Sequence, residues 1–176
     1  GKHLKGFRFL SQKPMMAVVN CDEEKAGQFD SLEGDLKSSL PAHIPLMTAC
    51  GKLEAELALV QPGERAEFMA EYGIEETVAG RIIRLAYHTL GLISFLTVGE
   101  DECRAWPIRR GMNAQEAAGT IHTSLSDRFI RAETVSYEDF MNYGGFPGCR
   151  KAGTWRLEGK NYIVRDGDIL TIRAGN

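Results

Sequence analysis

Two short apolar runs, residues 15–20 (Met-Met-Ala-Val-Val-Asn) and residues 44–48 (Ile-Pro-Leu-Met-Thr), frame a polar segment in the first quarter of the chain. Each run has the length of a strand and is too short for a helix, and continuous apolar character fits a strand buried on both faces of a parallel sheet. Between them, Phe29, Leu32, Leu36 and Leu40 recur every three or four residues, which places a helix within residues 24–40. After the second run, Leu53, Leu57 and Val60 repeat that spacing over residues 52–60. Strand, helix, strand, helix in that order is the pattern of an α/β unit. Two more helices follow. Pro62 opens one in its first turn and Gly73 stops it, and the other runs from Glu75 to Leu90 before Gly91.

Beyond Gly91 the texture changes. Residues 93–98 and 103–108 read as two strands joined by a hairpin connection, Gly99, Glu100, Asp101 and Glu102. Asn113 with Glu116 three residues later is a capping pattern, and a helix follows through Leu125 with Ala117, Ala118, Ile121 and Leu125 inward. Residues 130–136 form a third strand. Residues 162–164 and 169–172 form two more around the turn Asp166, Gly167, Asp168. The sequence therefore predicts two parts, an α/β portion over residues 1–91 and an α+β portion over residues 92–176.

Charge narrows the functions. The chain of 176 residues carries 21 Lys and Arg against 24 Asp and Glu, a net charge of −3. The first part holds 10 basic and 13 acidic residues, the second 11 of each, so nucleic acid can be met only through a local patch. No apolar run approaches the roughly 18–20 residues of a membrane helix, and the N-terminus shows no signal-peptide pattern. The chain opens on Gly1, Lys2 and His3 without an initiator Met, as a fragment would. Cys21, Cys50, Cys103 and Cys149 include no C-x-x-C pair, which points to reduced cytoplasmic thiols, with no zinc site or disulfide framework. The four histidines are equally scattered, and no metal site is expected.

In a parallel α/β sheet, ligands bind beyond the carboxyl ends of the strands. Asn20, Cys21, Asp22 and Glu23 follow the first run, and Ala49, Cys50, Gly51 and Lys52 follow the second, so both loops belong on one rim. Two readings fit. Asn20 or Asp22 caps the next helix while Gly51 eases a turn, or Asn20 and Glu23 read the edge of a purine base. Cys21 and Cys50 are read as small rim hydrophobes. The phosphate-cradling pattern G-x-x-x-x-G-K-[ST] is absent; the nearest match, residues 148–153, continues with Thr154 and Trp155 and is read as a turn. No catalytic residue is assigned.

The loops resemble two motifs of the small GTPase-type fold: the base-reading Asn-x-x-Asp, here with Glu23 last, and the Ser-Ala-Lys-type loop, here Cys50, Gly51 and Lys52. The stretches "KPMMAVVNCDEE" and "ERAEFMAEYGIEE" are similar to the YchF-type branch of the Obg-like ATPases. So are "GLISFLTVGEDECRAWPIRRG", "AAGTIHTSLSDRFIRAETVSYEDF" and "GCRKAGTWRLEGKNYIVRDGDIL", which resemble the C-terminal TGS domain of that family. The resemblance implies that residues 1–91 are the C-terminal portion of a P-loop nucleotide-binding domain and residues 92–176 a β-grasp TGS domain. It implies a parent hydrolase that binds ATP or GTP with Mg²⁺ and contacts the ribosome; this chain alone is expected to be inactive and to hold no nucleotide tightly.

Glu23 in place of Asp sets its carboxylate one methylene further out, which spoils a bidentate grip on guanine and leans the site toward adenine. Asn20 can still pair with adenine, and Cys21, Cys50 and Gly51 would brace the base. In the second part, His122 lies in "TIHTSL", similar to TGS stretches for which contact with RNA is implied. The other reading of His122 is a partly buried ring between helix and sheet. Arg128, Arg131 and Lys151, with Arg109, Arg110 and Arg150, form a basic rim or simply a solvated surface. Trp106 and Trp155 either stack bases or, as strand residues, fill the core. An alternative to the nucleotide-binding parent is a stand-alone β-grasp module that binds RNA or the ribosome, with residues 1–91 as scaffold.

Overall fold

The computed structural model describes residues 9–99 and 101–175. Glu100, in the expected hairpin connection, and the opening residues Gly1, Lys2 and His3 lie outside the described residues. The chain divides into two compact units, Gly1–Leu90 and Gly91–Asn176.

In unit 1, strand β1 (Ala17–Asn20) is followed by a 3-10 turn at Glu23–Lys25 and helix α1 (Phe29–Lys37). Strand β2 (Leu46–Ala49) leads into α2 (Gly51–Leu59), then α3 (Arg65–Glu71) and α4 (Val78–Leu90). The two strands are parallel, with Ala17 opposite Leu46 and Asn20 opposite Ala49. The burial expected of both runs holds for one. Met47, Thr48 and Ala49 are buried, but β1 alternates between half-buried and exposed positions, and Val18 is 44% exposed. Among the described residues β1 pairs with β2 alone, so its outer edge and part of its surface are uncovered. The helix expected from Pro62 begins three residues later, because residues 62–64 make a turn closed by the Glu64 N–H donating to the Gln61 carbonyl at 2.9 Å. Helix α4 begins at Val78 rather than Glu75. Its first two N–H groups, of Val78 and Ala79, donate to the Glu54 carboxylate of α2 at 2.9 and 3.2 Å, and the Gly80 N–H donates to Thr77 Oγ1 at 3.1 Å, so α2 completes a cap that Thr77 begins locally.

The outer edge of β2 is closed without a strand. The Thr48 N–H donates to Glu33 Oε1 at 2.8 Å, and the Thr48 carbonyl accepts from Arg81 Nη1 at 2.8 Å. Glu33 and Arg81 are themselves ion-paired, and the guanidinium lies over the Phe29 ring, 5.1 Å from its centroid. One residue of α1 and one of α4 thus satisfy the backbone pair that a neighbouring strand would otherwise take.

Unit 2 begins with β3 (Leu92–Val98) and β4 (Cys103–Arg109), an antiparallel hairpin. Helices α5 (Ala114–Ile121) and α6 (Thr123–Asp127) precede β5 (Phe129–Ser136). Helices α7 (Tyr137–Asn142) and α8 (Phe146–Ala152), β6 (Arg156–Glu158) and β7 (Asp168–Ala174) complete it. The sheet order is β4-β3-β7-β5-β6. The last strand is inserted between β3 and β5, parallel to the first and antiparallel to the second. One face packs on α5 through Ile93, Phe95, Ile108, Ala114, Ala117, Ala118 and Ala132, joined by Ile121 and Leu125. On the other face Val135 and Ile169 pack with Cys149, Phe140 and Phe146 of α7 and α8.

Three expectations in this unit are corrected. The helix from Asn113 has the expected capping box, the Asn113 and Glu116 side chains each accepting the other's backbone N–H, but it breaks at His122. That residue is extended (φ −160°, ψ 138°), and its Nδ1 accepts the Ser124 N–H at 3.2 Å, starting α6 as a second short helix. Residues 162–164 are not a strand. Ile163 makes one isolated bridge to Asn113, and the Ala114 and Val164 N–H groups donate to the Tyr162 and Met112 carbonyls, so the segment pins the start of α5 rather than joining the sheet. Residues 148–153 are mostly helix α8, ended by Gly153 at φ 75°. Gly148 lies inside that helix because a Cβ there would collide with the Tyr143 carbonyl. Helices α7 and α8 and strand β6 carry no periodicity long enough to read in advance.

Candidate functional site

Asn20 ends β1 and Cys50 is the one residue between β2 and α2, so the parallel register brings the two strand ends together. Asn20 Oδ1 accepts the Gly51 N–H at 2.9 Å. Gly51 is the first residue of α2, so the Asn20 side chain caps a helix 31 positions along the chain rather than the one that follows it. Asp22 makes no side-chain cap bond. The approach is close: a Cβ at Gly51 would sit 3.3 Å from Asn20 Oδ1. Asn20 keeps its two amide N–H donors, and its oxygen keeps a second lone pair.

Around this bond, Cys21 donates its N–H to the Ala49 carbonyl at 2.8 Å, extending the pairing one step beyond the strands. Burial pushes the Cys21 thiol up, and the neighbouring Cys50 adds to it. Both cysteines are free, and Cys50 is 1% exposed, a small core residue behind the rim. Lys52 Nζ lies 2.7 Å from Glu23 Oε2, an ion pair open to solvent, and the Glu23 carboxylate holds the Lys52 ammonium above its usual range. The structure therefore brings Asn20, Cys21, Glu23 and Gly51 onto one rim with Cys50 buried behind it, and adds Lys52, which the Ser-Ala-Lys-type loop had included without a role. The rim offers amide donors, an exposed carboxylate already paired, and one helix start, which suits the polar edge of a flat heterocycle. Among the described residues no group of three or more His, Cys, Asp or Glu is placed to hold a metal ion.

In unit 2 the four basic candidates separate. His122 is exposed, not half-buried, at the break between α5 and α6, in the helical layer on one face of the sheet. Arg128 follows α6 at the turn into β5. Arg131 points to the opposite face, since Ala132 packs toward α5, and Lys151 lies exposed in the last turn of α8. The sequence missed Glu133 and Arg173 beside Arg131, because only the insertion of β7 next to β5 makes Arg131 and Arg173 neighbours. Both tryptophans pack against the apolar clusters. Trp106 donates to Thr97 Oγ1 at 2.9 Å, and Arg104 and Arg150 lie over the Trp106 and Trp155 rings.

Among the described residues no helix is long and apolar enough to cross a membrane. Residues 92–175 match the YchF-GTPase_C family model, described as a protein of unknown function (DUF933). The chain is 38% identical over 170 residues to the ribosome-binding ATPase YchF of Haemophilus ducreyi, covering 97% of this chain and 47% of that protein. The protein of the same name from Bacillus subtilis is 39% identical over 175 residues, covering 98% and 48%. The chain thus spans about half the length of the curated relatives it matches. The Schizosaccharomyces pombe YchF GTPase superposes with a TM-score of 0.84 at 28% identity, over 98% of this chain and 46% of that one. A GTP-binding protein from Pyrococcus horikoshii shares the fold, with a TM-score of 0.62 at 17% identity over 93% of this chain and 46% of that one. Matched along its length by these proteins, the chain belongs to the YchF family and represents its C-terminal part.

Proposed function

We propose that this chain is the base-selecting and ribosome-contacting part of a cytoplasmic Obg-like NTPase whose phosphate and Mg²⁺ sites lie in the rest of the parent protein. Unit 1 is read as the C-terminal portion of a P-loop domain and unit 2 as a TGS domain. The Asn20–Gly51 hydrogen bond carries this reading, because it ties two parallel strand ends into one rim with its remaining amide N–H groups free for a purine. A purine base fits the donor set: Asn20 would pair with the base edge, while Cys21 and Gly51 brace it and Cys50, buried behind them, holds the loop from the core side. Lys52 engages one oxygen of Glu23, so the carboxylate is poorly disposed to accept two bonds from guanine, and the rim favours ATP over GTP. The strand order β4-β3-β7-β5-β6, with the last strand beside the first, supports the β-grasp reading of unit 2.

Phosphoryl transfer depends on a phosphate cradle, Mg²⁺ and an oriented water. The chain alone is therefore inactive. Purified chain should show no ATP turnover and at most weak ATP binding by calorimetry. In a longer protein that includes a P-loop, ATP should bind tightly and Asn20→Ala should weaken it at least tenfold. Normal ATP binding by that variant would refute base reading at this rim. Unit 2 is compact and has apolar cores of its own, which allows a second reading, a binding module that works without nucleotide. Ribosome co-sedimentation that is indifferent to ATP in the longer protein would select it.

A further inference from the structure

The two faces of the unit 2 sheet differ in cover. Helices α7 and α8 pack over Val135 and Ile169 and leave Arg131 and Arg173 exposed on the same face. Glu133 lies between the guanidiniums. Its Oε1 accepts from Arg173 Nε at 2.8 Å and its Oε2 from Arg150 Nη2 at 3.4 Å. The carboxylate is 13% exposed, whereas Arg173 and Arg150 are 57% and 56% exposed. A single shielded acid thus orients two open guanidiniums, and Arg173, bonded through Nε, keeps its terminal N–H groups free. Arg131 stands directly across from Arg173 in the β5·β7 register, with their backbones about 5 Å apart. Three guanidiniums, of Arg131, Arg150 and Arg173, thus gather around one carboxylate in a half of the protein that is neutral overall.

Planar guanidiniums held in place suit phosphate oxygens, which accept two parallel N–H bonds from each. Trp155, the tryptophan beside this group, is half-buried with Arg150 over its ring, so it gives no free stacking platform. The surface is built for backbone rather than base. We propose that this open sheet face binds the phosphodiester backbone of RNA, with Arg131 and Arg173 as the phosphate contacts. The choice of RNA rests on the ribosome-contacting reading of unit 2 and names the surface that would serve it.

The test uses the full chain and a fluorescein-labelled RNA hairpin of mixed sequence, followed by anisotropy between 50 and 200 mM KCl. The double variant Arg131→Gln/Arg173→Gln should bind at least tenfold more weakly at 50 mM. Its plot of log affinity against log salt should be flatter by about 1.4–1.8, the share of two phosphate contacts. Arg104→Gln, which lies over Trp106 on the α5 face, should bind as wild type. Far-UV circular dichroism confirms that each variant is folded. Unchanged affinity and slope in the double variant overturn the inference, as does tighter binding to polyglutamate than to RNA. Ribosome co-sedimentation separates the two readings. If the double variant still sediments with ribosomes, this surface is wrong and the ribosome reading stands. If the wild-type chain does not sediment but binds RNA through these arginines, the reverse holds.

Discussion

Unit 2 closes an apolar cluster on each face of a five-stranded sheet, while unit 1 gathers Met47, Ala49, Cys50, Leu53 and Leu57 around a single strand and the helix after it. Helices α1, α3 and α4 of unit 1 contain no fully buried residue. A sheet of two strands has no interior strand, and each strand carries an outer edge that must be satisfied in some other way. Unit 2 solves this by inserting β7 between β3 and β5. Unit 1 solves it at β2 with an ion pair and leaves β1 open. The difference shows that similar numbers of residues can depend on apolar area in one unit and on a few polar bonds in the other.

Both tryptophans lie in unit 2, so their fluorescence follows that unit alone. Phe95 is wholly buried at the centre of its core, and Phe95→Ala should cost about 3–5 kcal/mol in a denaturant titration followed by that signal. A loss below about 1 kcal/mol would mean that unit 2 is not packed as described. Arg81→Met should leave the tryptophan transition in place while costing unit 1 about 3 kcal/mol, because Glu33 and the Thr48 carbonyl lose their partner. Hydrogen exchange checks this: the Thr48 amide should exchange much faster, and an unchanged rate would remove the edge-closing role from the pair.

Gly148→Ala should destabilise unit 2 by about 2 kcal/mol, since the new methyl presses on the Tyr143 carbonyl. Wild-type stability in that variant would show that the α7–α8 corner yields freely. The smallest effect concerns pH. The hydrogen bond from Arg173 holds the Glu133 carboxyl below the usual glutamate range against the opposing pull of burial. Its contribution is full above the unfolded value, about 4.3, and is lost as pH falls through the lower folded value. Melting temperatures of wild type and Glu133→Gln should therefore converge between pH 5 and 3, and parallel curves would show that the carboxylate adds nothing.

The outline of this comparison was legible in the sequence where local pattern decided it. The β1–α1–β2–α2 order, the Asn113 capping box and the β3–β4 hairpin all follow from apolar spacing and turn residues close along the chain. Long-range pairing decided the rest. Nothing near Thr48 announces that Glu33 and Arg81 will take its backbone groups, and nothing near Arg131 announces Arg173. His122 reads as one more helical residue until its ring is seen accepting the Ser124 N–H. The rim followed the same division. Sequence placed Asn20 and Gly51 at adjacent strand ends, but only geometry showed the bond between them, which makes Asn20 the cap of α2 and leaves its amide N–H groups for the proposed base contact.

The ion pair on the outer edge of β2 gives the small sheet a polarity. A strand arriving at β2 would have to break Glu33 from Arg81 and strip two bonds from Thr48, whereas among the described residues β1 has no strand partner but β2. The β2 side is therefore the resistant one: register errors or chance association between molecules there are discouraged by two side chains rather than by a covering element.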